Sequence, residues 1–227
     1  MRCDVLFAMA LLGSAMCSTS CTNAPGAHQV LGPDGRVLAQ VATLNGLKDG
    51  AAILHLRNHG SKQGRYDRGL KTGPWLETDA KGDTVSIAGY ARGRAEGLWW
   101  QFTNGRPTYL AYYSNGVEQG PRIQWYPNGA PASLVRFAEG HEEGTAHYWN
   151  MKDTVNVGMH ATGRYADGKP EGVWRRYYSD GVLCNENPYR NGLRHGIWTL
   201  WSRNGEVLRK IEYRFDKRVR TVVDELK

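Results

Sequence analysis

Residues Tyr165 to Gly181 read Tyr-Ala-Asp-Gly-Lys-Pro-Glu-Gly-Val-Trp-Arg-Arg-Tyr-Tyr-Ser-Asp-Gly. Their skeleton is Tyr-x-x-Gly-x-x-x-Gly-x-Trp-x-x-Tyr-x-x-x-Gly, and it recurs along the chain. The first glycine falls at Gly46, Gly69, Gly93, Gly116, Gly140, Gly168 and Gly192, in steps of 23, 24, 23, 24, 28 and 24 residues. The second falls at Gly50, Gly73, Gly97, Gly120, Gly144, Gly172 and Gly196. An aromatic stands three residues before the first glycine at Tyr66, Tyr90, Tyr113, Phe137, Tyr165 and Tyr189, and Tyr213 follows at the same interval. A fixed period of this size marks a repeat architecture, in which each unit buries its apolar face against its neighbours.

Each period holds two strand-like runs. Val173 to Tyr178 runs out to Ser179-Asp180-Gly181, and Val182 to Tyr189 returns to Arg190-Asn191-Gly192. Asn-Gly and Asp-Gly between apolar runs favour tight hairpins, because both residues tolerate positive φ. Such pairs recur at Asp34-Gly35, Asn104-Gly105, Asn115-Gly116, Asn128-Gly129 and Asp167-Gly168. One period is therefore one β-hairpin. The expected fold is all-β: an elongated single-layer antiparallel meander of about seven units over residues 33–216, some fourteen strands. Gly69, Gly73, Gly93, Gly97, Gly116, Gly120, Gly140, Gly144, Gly168, Gly172, Gly192 and Gly196 are expected as turn glycines. The repeat core is expected from Tyr66, Trp75, Tyr90, Trp99, Tyr113, Phe137, Tyr165, Trp174, Tyr189, Trp198 and Tyr213. Trp125, Trp149, Tyr177 and Trp201 would stack in the same ladders. A one-layer sheet has little else to bury, and 8 Trp and 12 Tyr against 4 Phe fit half-covered positions that need a polar handle.

The units resemble the MORN repeat in its bacterial variant form. The residues that carry the resemblance are Gly73-Pro74-Trp75, Gly97-Leu98-Trp99, Gly172-Val173-Trp174 and Gly196-Ile197-Trp198, over about residues 44 to 216. It implies a repeat scaffold, of a family commonly filed as the antitoxin component of toxin–antitoxin pairs. Arg122 and Ala146 stand where the pattern has Trp, and the unit after Gly144 carries four extra residues around Asn150 to Val157. That insertion reads as a longer turn, and irregular additions to repeats often sit on a working face.

Before the repeats, Arg2 precedes a mostly apolar run from Val5 to Ala15 and then small and polar residues up to Cys21. This describes an export signal, too short for a membrane-spanning helix. It resembles a bacterial lipoprotein signal over residues 1–20, with Cys21 as the lipidated residue. Cys17, or ordinary cleavage after Ala15, stays open as an alternative. Residues 21–32 read as a tether, and 217–227 as a C-terminal cap. In that cap Val219, Val222, Val223 and Leu226 suit a short amphipathic helix, while their β-branching argues for a strand. The expected location is the periplasm or outer membrane, through a lipid anchor.

No Cys-x-x-Cys, Gly-x-Ser-x-Gly, P-loop or dinucleotide-binding glycine pattern occurs, so no catalytic constellation, cofactor or metal site is read from the chain. His141 and His147 lie near Glu142 and Glu143 in one hairpin without helical metal-ligand spacing. The expected function is a non-catalytic scaffold binding a protein partner or an anionic lipid surface. An antitoxin or immunity protein is the alternative, and nucleic acid is not an expected partner of an exported chain. Eleven Lys or Arg against five Asp or Glu between Arg175 and Arg220 account for most of the net charge of +7. Arg190, Arg194, Arg214, Lys217 and Arg218 flank predicted turns there and form the candidate binding patch.

The anchor has a direct check. Metabolic labelling with a palmitate analogue should mark the wild type and not Cys21→Ser. Label kept in that variant and lost in Cys17→Ser would move the anchor, and an unlabelled wild type would eliminate lipidation.

Overall fold

The computed structural model describes residues 26–151 and 157–225. The expected signal peptide and Cys21 lie outside them. The described chain forms β1 (Ala27–Leu31), β2 (Val37–Leu44), β3 (Leu47–His55), β4 (Ser61–Asp67), β5 (Leu70–Thr78), β6 (Thr84–Ala91), β7 (Arg94–Thr103), β8 (Arg106–Ser114) and β9 (Val117–Trp125). It continues with β10 (Pro131–Ala138), β11 (His141–Met151), β12 (Val157–Ala166), β13 (Lys169–Tyr177), β14 (Leu183–Arg190), β15 (Leu193–Arg194), β16 (Gly196–Trp201), β17 (Val207–Arg214) and β18 (Lys217–Asp224). Strands adjacent in sequence pair antiparallel, as in Gly73↔Tyr90 and Gly172↔Tyr189, except that β15 and β16 are collinear and both pair with β14. The result is one open all-β sheet, a meander of hairpins.

Seven periods account for fourteen of these eighteen strands. The others are β1 and β2 before the periods, β18 after them, and the split of one strand into β15 and β16 at His195. Two expected boundaries move. Part of the expected tether, Ala27–Leu31, is strand β1, paired with β2 from Ala27↔Ala42 to Leu31↔Val37. Gly26 begins that pairing by accepting a bond from the Thr43 amide. The C-terminal segment is strand, as its β-branched residues argue, and β18 extends the sheet by pairing with β17. The insertion after Gly144 lengthens the sheet: β11 and β12 run on until Met151 pairs with Val157.

The hairpins close in two ways, at opposite ends of the strands. At one end two residues of positive φ make each turn, as in Asn115-Gly116, Asp167-Gly168 and Asn191-Gly192. Such turns match the twist of the strands they join. The same geometry holds Arg68, Arg92 and Glu139 at positive φ, ahead of Gly69, Gly93 and Gly140. At the other end the turn is wider: Tyr126 N–H donates to Ala130 O, and Gly129 N–H to Tyr126 O. Asn104-Gly105 is the exception at this end, a two-residue left-handed turn; in the wider turns the Asn or Asp is not itself left-handed. Its side chain accepts from the amide two residues on, as Asn128 does from Ala130 and Asp180 from Val182.

All twelve expected turn glycines have positive φ, but only six lie in turns. Gly73, Gly97, Gly120, Gly144, Gly172 and Gly196 lie within strand segments. In the β4–β5 pair, Gln63 faces Leu76 and Arg65 faces Thr72, so Gly73, Pro74 and Trp75 together oppose Gly64. The second glycine therefore serves a bulge, which bends the strand and re-aims the side chain that follows. In Trp75 and Trp174 the re-aimed indole lies flat across the opposed glycine. A Cβ built on Gly64 would stand 2.4 Å from Trp75, and one on Gly163 would stand 2.1 Å from Trp174.

These indoles carry the core. Trp75 packs edge-on between Tyr66 at 5.1 Å and Tyr90 at 6.5 Å. Trp99 lies between Tyr90 at 6.1 Å and Tyr113 at 5.1 Å, and Trp198 is 5.3 Å from both Tyr189 and Tyr213. Each such ring pair contributes about 0.5–1.5 kcal/mol beyond the area it buries. The indole N–H groups of Trp75, Trp174 and Trp198 donate to the carbonyls of Arg65, Arg164 and Pro188 at 3.2, 3.1 and 2.9 Å. Tyr66, Trp75 and Phe137 are buried and the remaining core aromatics are half-buried, because a single sheet brings no second layer over them. Trp125 stacks on Trp100 at 6.2 Å in a separate cluster, and Tyr126 and Tyr178 donate from their hydroxyls to the Trp149 and Trp201 carbonyls one unit on.

Two substitutions test this reading by chemical denaturation. Gly192→Val puts a β-branched residue at φ +81° beside Lys169 and should cost more than about 1 kcal/mol. Gly163→Ala meets no φ penalty, only the indole of Trp174, and should cost about 1–3 kcal/mol. Unchanged midpoints would contradict the turn geometry in the first case and the seating of the indole in the second.

Candidate functional site

The expected basic patch lies at the last turns, between β14 and β18. Asn191-Gly192 and Phe215-Asp216 make neighbouring tight turns, joined when the Asp216 amide donates to Arg194 O. The same link recurs one unit earlier, where the Gly192 amide donates to Pro170 O. Residues beside successive turns are thereby held along one edge. Arg190 immediately precedes one turn and Arg214 the other, and Arg214 and Lys217 face each other across the β17–β18 pair. Arg218 follows, opposite Tyr213.

Arg190, Arg214, Lys217 and Arg218 are exposed, and none has a carboxylate partner among the described residues. Arg194 differs. Its Nε donates to Asp216 Oδ1 at 2.9 Å, its backbone N–H donates to the same oxygen, and its guanidinium lies 4.4 Å from the Tyr213 ring and 5.7 Å from Trp198. It caps the aromatic file and drops out of the expected patch as a free cation. The spacing that placed it beside a turn also placed it over a ring. Most other basic residues of this region are likewise engaged: Arg175 with Glu186, Arg203 with Asp180, Arg209 with Asp224 and Arg220 with Glu212. Among the described residues, Arg176 and Lys210 stay unpaired within β13 and β17, and the other four cations without a carboxylate gather at the last turns; the region is not a uniformly basic third of the chain.

A second set of residues escaped the sequence reading. Three positions after the first glycine, an acidic side chain accepts from the next unit's turn. Glu96 takes the Asn115 amide at 2.8 Å, Glu143 the Asp167 amide at 3.0 Å, and Glu171 the Asn191 amide at 2.7 Å. The signal was an acid recurring at fixed phase, at Asp49, Glu96, Glu143 and Glu171. The basic end therefore begins where this row of caps gives way to His195, whose ring packs 4.6 Å from Phe215.

The two departures from the Trp position resolve differently. Arg122 fills the vacant place with its guanidinium, 4.0 Å from the Phe137 ring, and Glu118 holds it through a 2.8 Å bond to Nε. Ala146 is fully buried, and Tyr148 from the same strand leans into the gap instead, 6.2 Å from Trp174. Tyr148 and Tyr165 share a hydroxyl hydrogen bond of 3.3 Å. Burial first, and that bond second, push the Tyr148 phenol above its usual pKa. His147 is taken up by Thr162, with Oγ1 3.1 Å from Nδ1.

A single-layer array of hairpins that repeats one glycine pair, with the aromatic landmarks in most units, is the structure of a repeat scaffold. Residues 170–191 and 194–214 match the family described as MORN repeat variant. The same landmarks run upstream in register, so the chain resembles that family beyond the matched residues as well. A search of curated proteins found no match.

The Arg194–Asp216 pair has a pH signature. The Arg194 side chain, and then its backbone N–H, hold the Asp216 carboxyl below its ordinary value of 3.8. A carboxylate depressed in the folded state adds stability above its unfolded pKa and loses it as pH falls through the folded value. Asp216→Asn should therefore melt below wild type at neutral pH, with the gap closing as pH drops below 3.8. A gap independent of pH would remove the carboxylate's charge from the explanation.

Proposed function

We propose that this protein is a non-catalytic scaffold of the cell envelope, exported and held through Cys21, whose β14–β18 end grips an anionic partner surface. The observation that carries the reading is the group Arg190, Arg214, Lys217 and Arg218: four exposed cations without carboxylate partners among the described residues, on neighbouring turns. Elsewhere along the same edge acids alternate with bases, and several of those acids are engaged in capping turns. Charges repeated at equivalent positions add their fields over one patch, which steers and orients an acidic protein face or anionic lipid headgroups. Export is supported by the apolar run Val5 to Ala15. The same run weighs against an antitoxin acting in the cytosol and leaves an immunity role at the envelope as the form of that reading compatible with it.

Binding to phosphatidylglycerol vesicles, or to an acidic partner captured by in-cell crosslinking, should weaken as salt rises past physiological strength, where screening acts within about 8 Å. The triple change Arg190→Glu, Arg214→Glu, Lys217→Glu should abolish it and leave the melting temperature near wild type, because exposed unpaired charges contribute little to folding. Arg194→Glu should instead lower the melting temperature, since it removes the cap over Trp198 and Tyr213. Salt-independent binding, or binding that survives the triple reversal, would reduce the patch to solvated surface.

A further inference from the structure

The insertion and the missing Trp, separate irregularities in the sequence, meet in space. Between β9 and β13 the face that carries the aromatic file opens into a cleft of about 460 Å³. Its floor is small, formed in part by the buried residues Ser133 and Ala161, which flank Tyr148 in the cross-strand row. Its walls include the rings of Tyr148, Tyr165 and Trp174. Tyr165 and Trp174 meet edge-on at 5.0 Å, and Tyr148 lies tilted 31° to Trp174. Elsewhere a Trp packs between two Tyr, as Trp75, Trp99 and Trp198 do; here Ala146 supplies no ring.

The rim is polar, and several of its donors and acceptors have no side-chain partner among the described residues. Gln124 uses its side-chain oxygen to accept from Ser133 Oγ at 2.9 Å, which leaves its NH₂ for the cleft. Asn150, contributed by the lengthened β11, lies on the rim with His160 and Arg176. Among the described residues no carboxylate pairs with Arg176, whereas its neighbour Arg175 is engaged by Glu186. Among the described residues no acidic side chain lines the cleft.

We infer that this cleft is a saccharide-binding site, selective for a sugar that carries a carboxylate. Flat ring faces beside side-chain amides, an imidazole and a guanidinium match what a pyranose presents. Its axial C–H bonds rest on the negative face of an aromatic ring, and its hydroxyls need directional donors and acceptors at the edge. An aromatic side chain inserted by a protein partner would satisfy the rings and leave Gln124, Asn150 and His160 facing it unpaired, which disfavours it. Arg176, with no acid beside it, sets the charge: a planar guanidinium takes a carboxylate through two parallel bonds. The volume falls within the range of ordinary ligand pockets. The cleft is separate from the basic turns at the β14–β18 end, so either site can fail without the other.

Calorimetric titration of the full chain tests this with three acidic probes: trigalacturonate, sialyllactose and a disaccharide containing N-acetylmuramic acid. The neutral N-acetylglucosamine trimer and N-acetyltryptophanamide serve as comparisons. At least one acidic sugar should bind more tightly than the neutral trimer. Arg176→Ala should weaken it about tenfold, and Asn150→Ala several-fold. Both residues are exposed, so folding is not at stake. Charge reversal at Arg190, Arg214 and Lys217 should leave this binding unchanged. Silence of all three acidic probes at millimolar concentration overturns the site. Binding indifferent to Arg176→Ala, a neutral sugar bound as tightly, or N-acetyltryptophanamide bound in place of the sugars overturns the assignment.

Discussion

A single-layer sheet has to make its core from its own surface. In this chain the solution is an indole laid flat across a neighbouring strand, and the rest of the unit is arranged to allow it. The bulge at the second glycine turns Trp75 and Trp174 down onto Gly64 and Gly163, where even one methyl group would collide with the ring. The indole N–H then satisfies a carbonyl beside the bulge, and tyrosines close the ring's edges. The bulge, the small opposed residue and the aromatic pair therefore form one device, present at Trp75 and again at Trp174.

Units communicate through their turns as well as their rings. At the edge that carries Gly69, Gly93, Gly116, Gly140, Gly168 and Gly192, each of these turns donates a backbone N–H to the unit before it, and an acidic side chain from that unit often takes a second amide of the same turn. This fixes the edge of the sheet one unit at a time, which is how a repeat array gains stability from nearest neighbours. It also settles the electrostatics. Acids recruited as caps cannot neutralise bases elsewhere, and bases drawn over the rings, such as Lys71 above Trp75 at 4.3 Å and Arg194 above Tyr213, are no longer free to meet a partner.

Irregularity carries the individuality of the molecule. The Arg122 unit restores the file with a cation over Phe137. The Ala146 unit does not: a tyrosine from the same strand leans over the gap, small residues form the floor beside it, and a lengthened hairpin supplies a polar rim. A strictly periodic array offers the same shallow surface everywhere, so a recess arises where a unit breaks the rule. Both candidate sites have this origin, one from an interrupted ring file and the other from the end of the row of acidic caps.

The sequence by itself determined the all-β class, the period, the unit boundaries, the left-handed glycines and the aromatic file. These follow from residue type at fixed spacing, and a sheet with period-two side chains converts spacing directly into position. It also marked Arg122, Ala146 and the insertion as exceptions. Only the tertiary structure decided that the second glycine of each pair serves a bulge and not a turn, because that depends on which residues of the neighbouring strand it faces. Only the structure separated Arg194 from Arg190, Arg214, Lys217 and Arg218, since all five look alike beside a turn and differ in what lies beneath them. The cleft belongs to the same class of fact. Gln124, Tyr148, His160 and Arg176 come from four different strands, and no spacing along the chain announces that they share a wall.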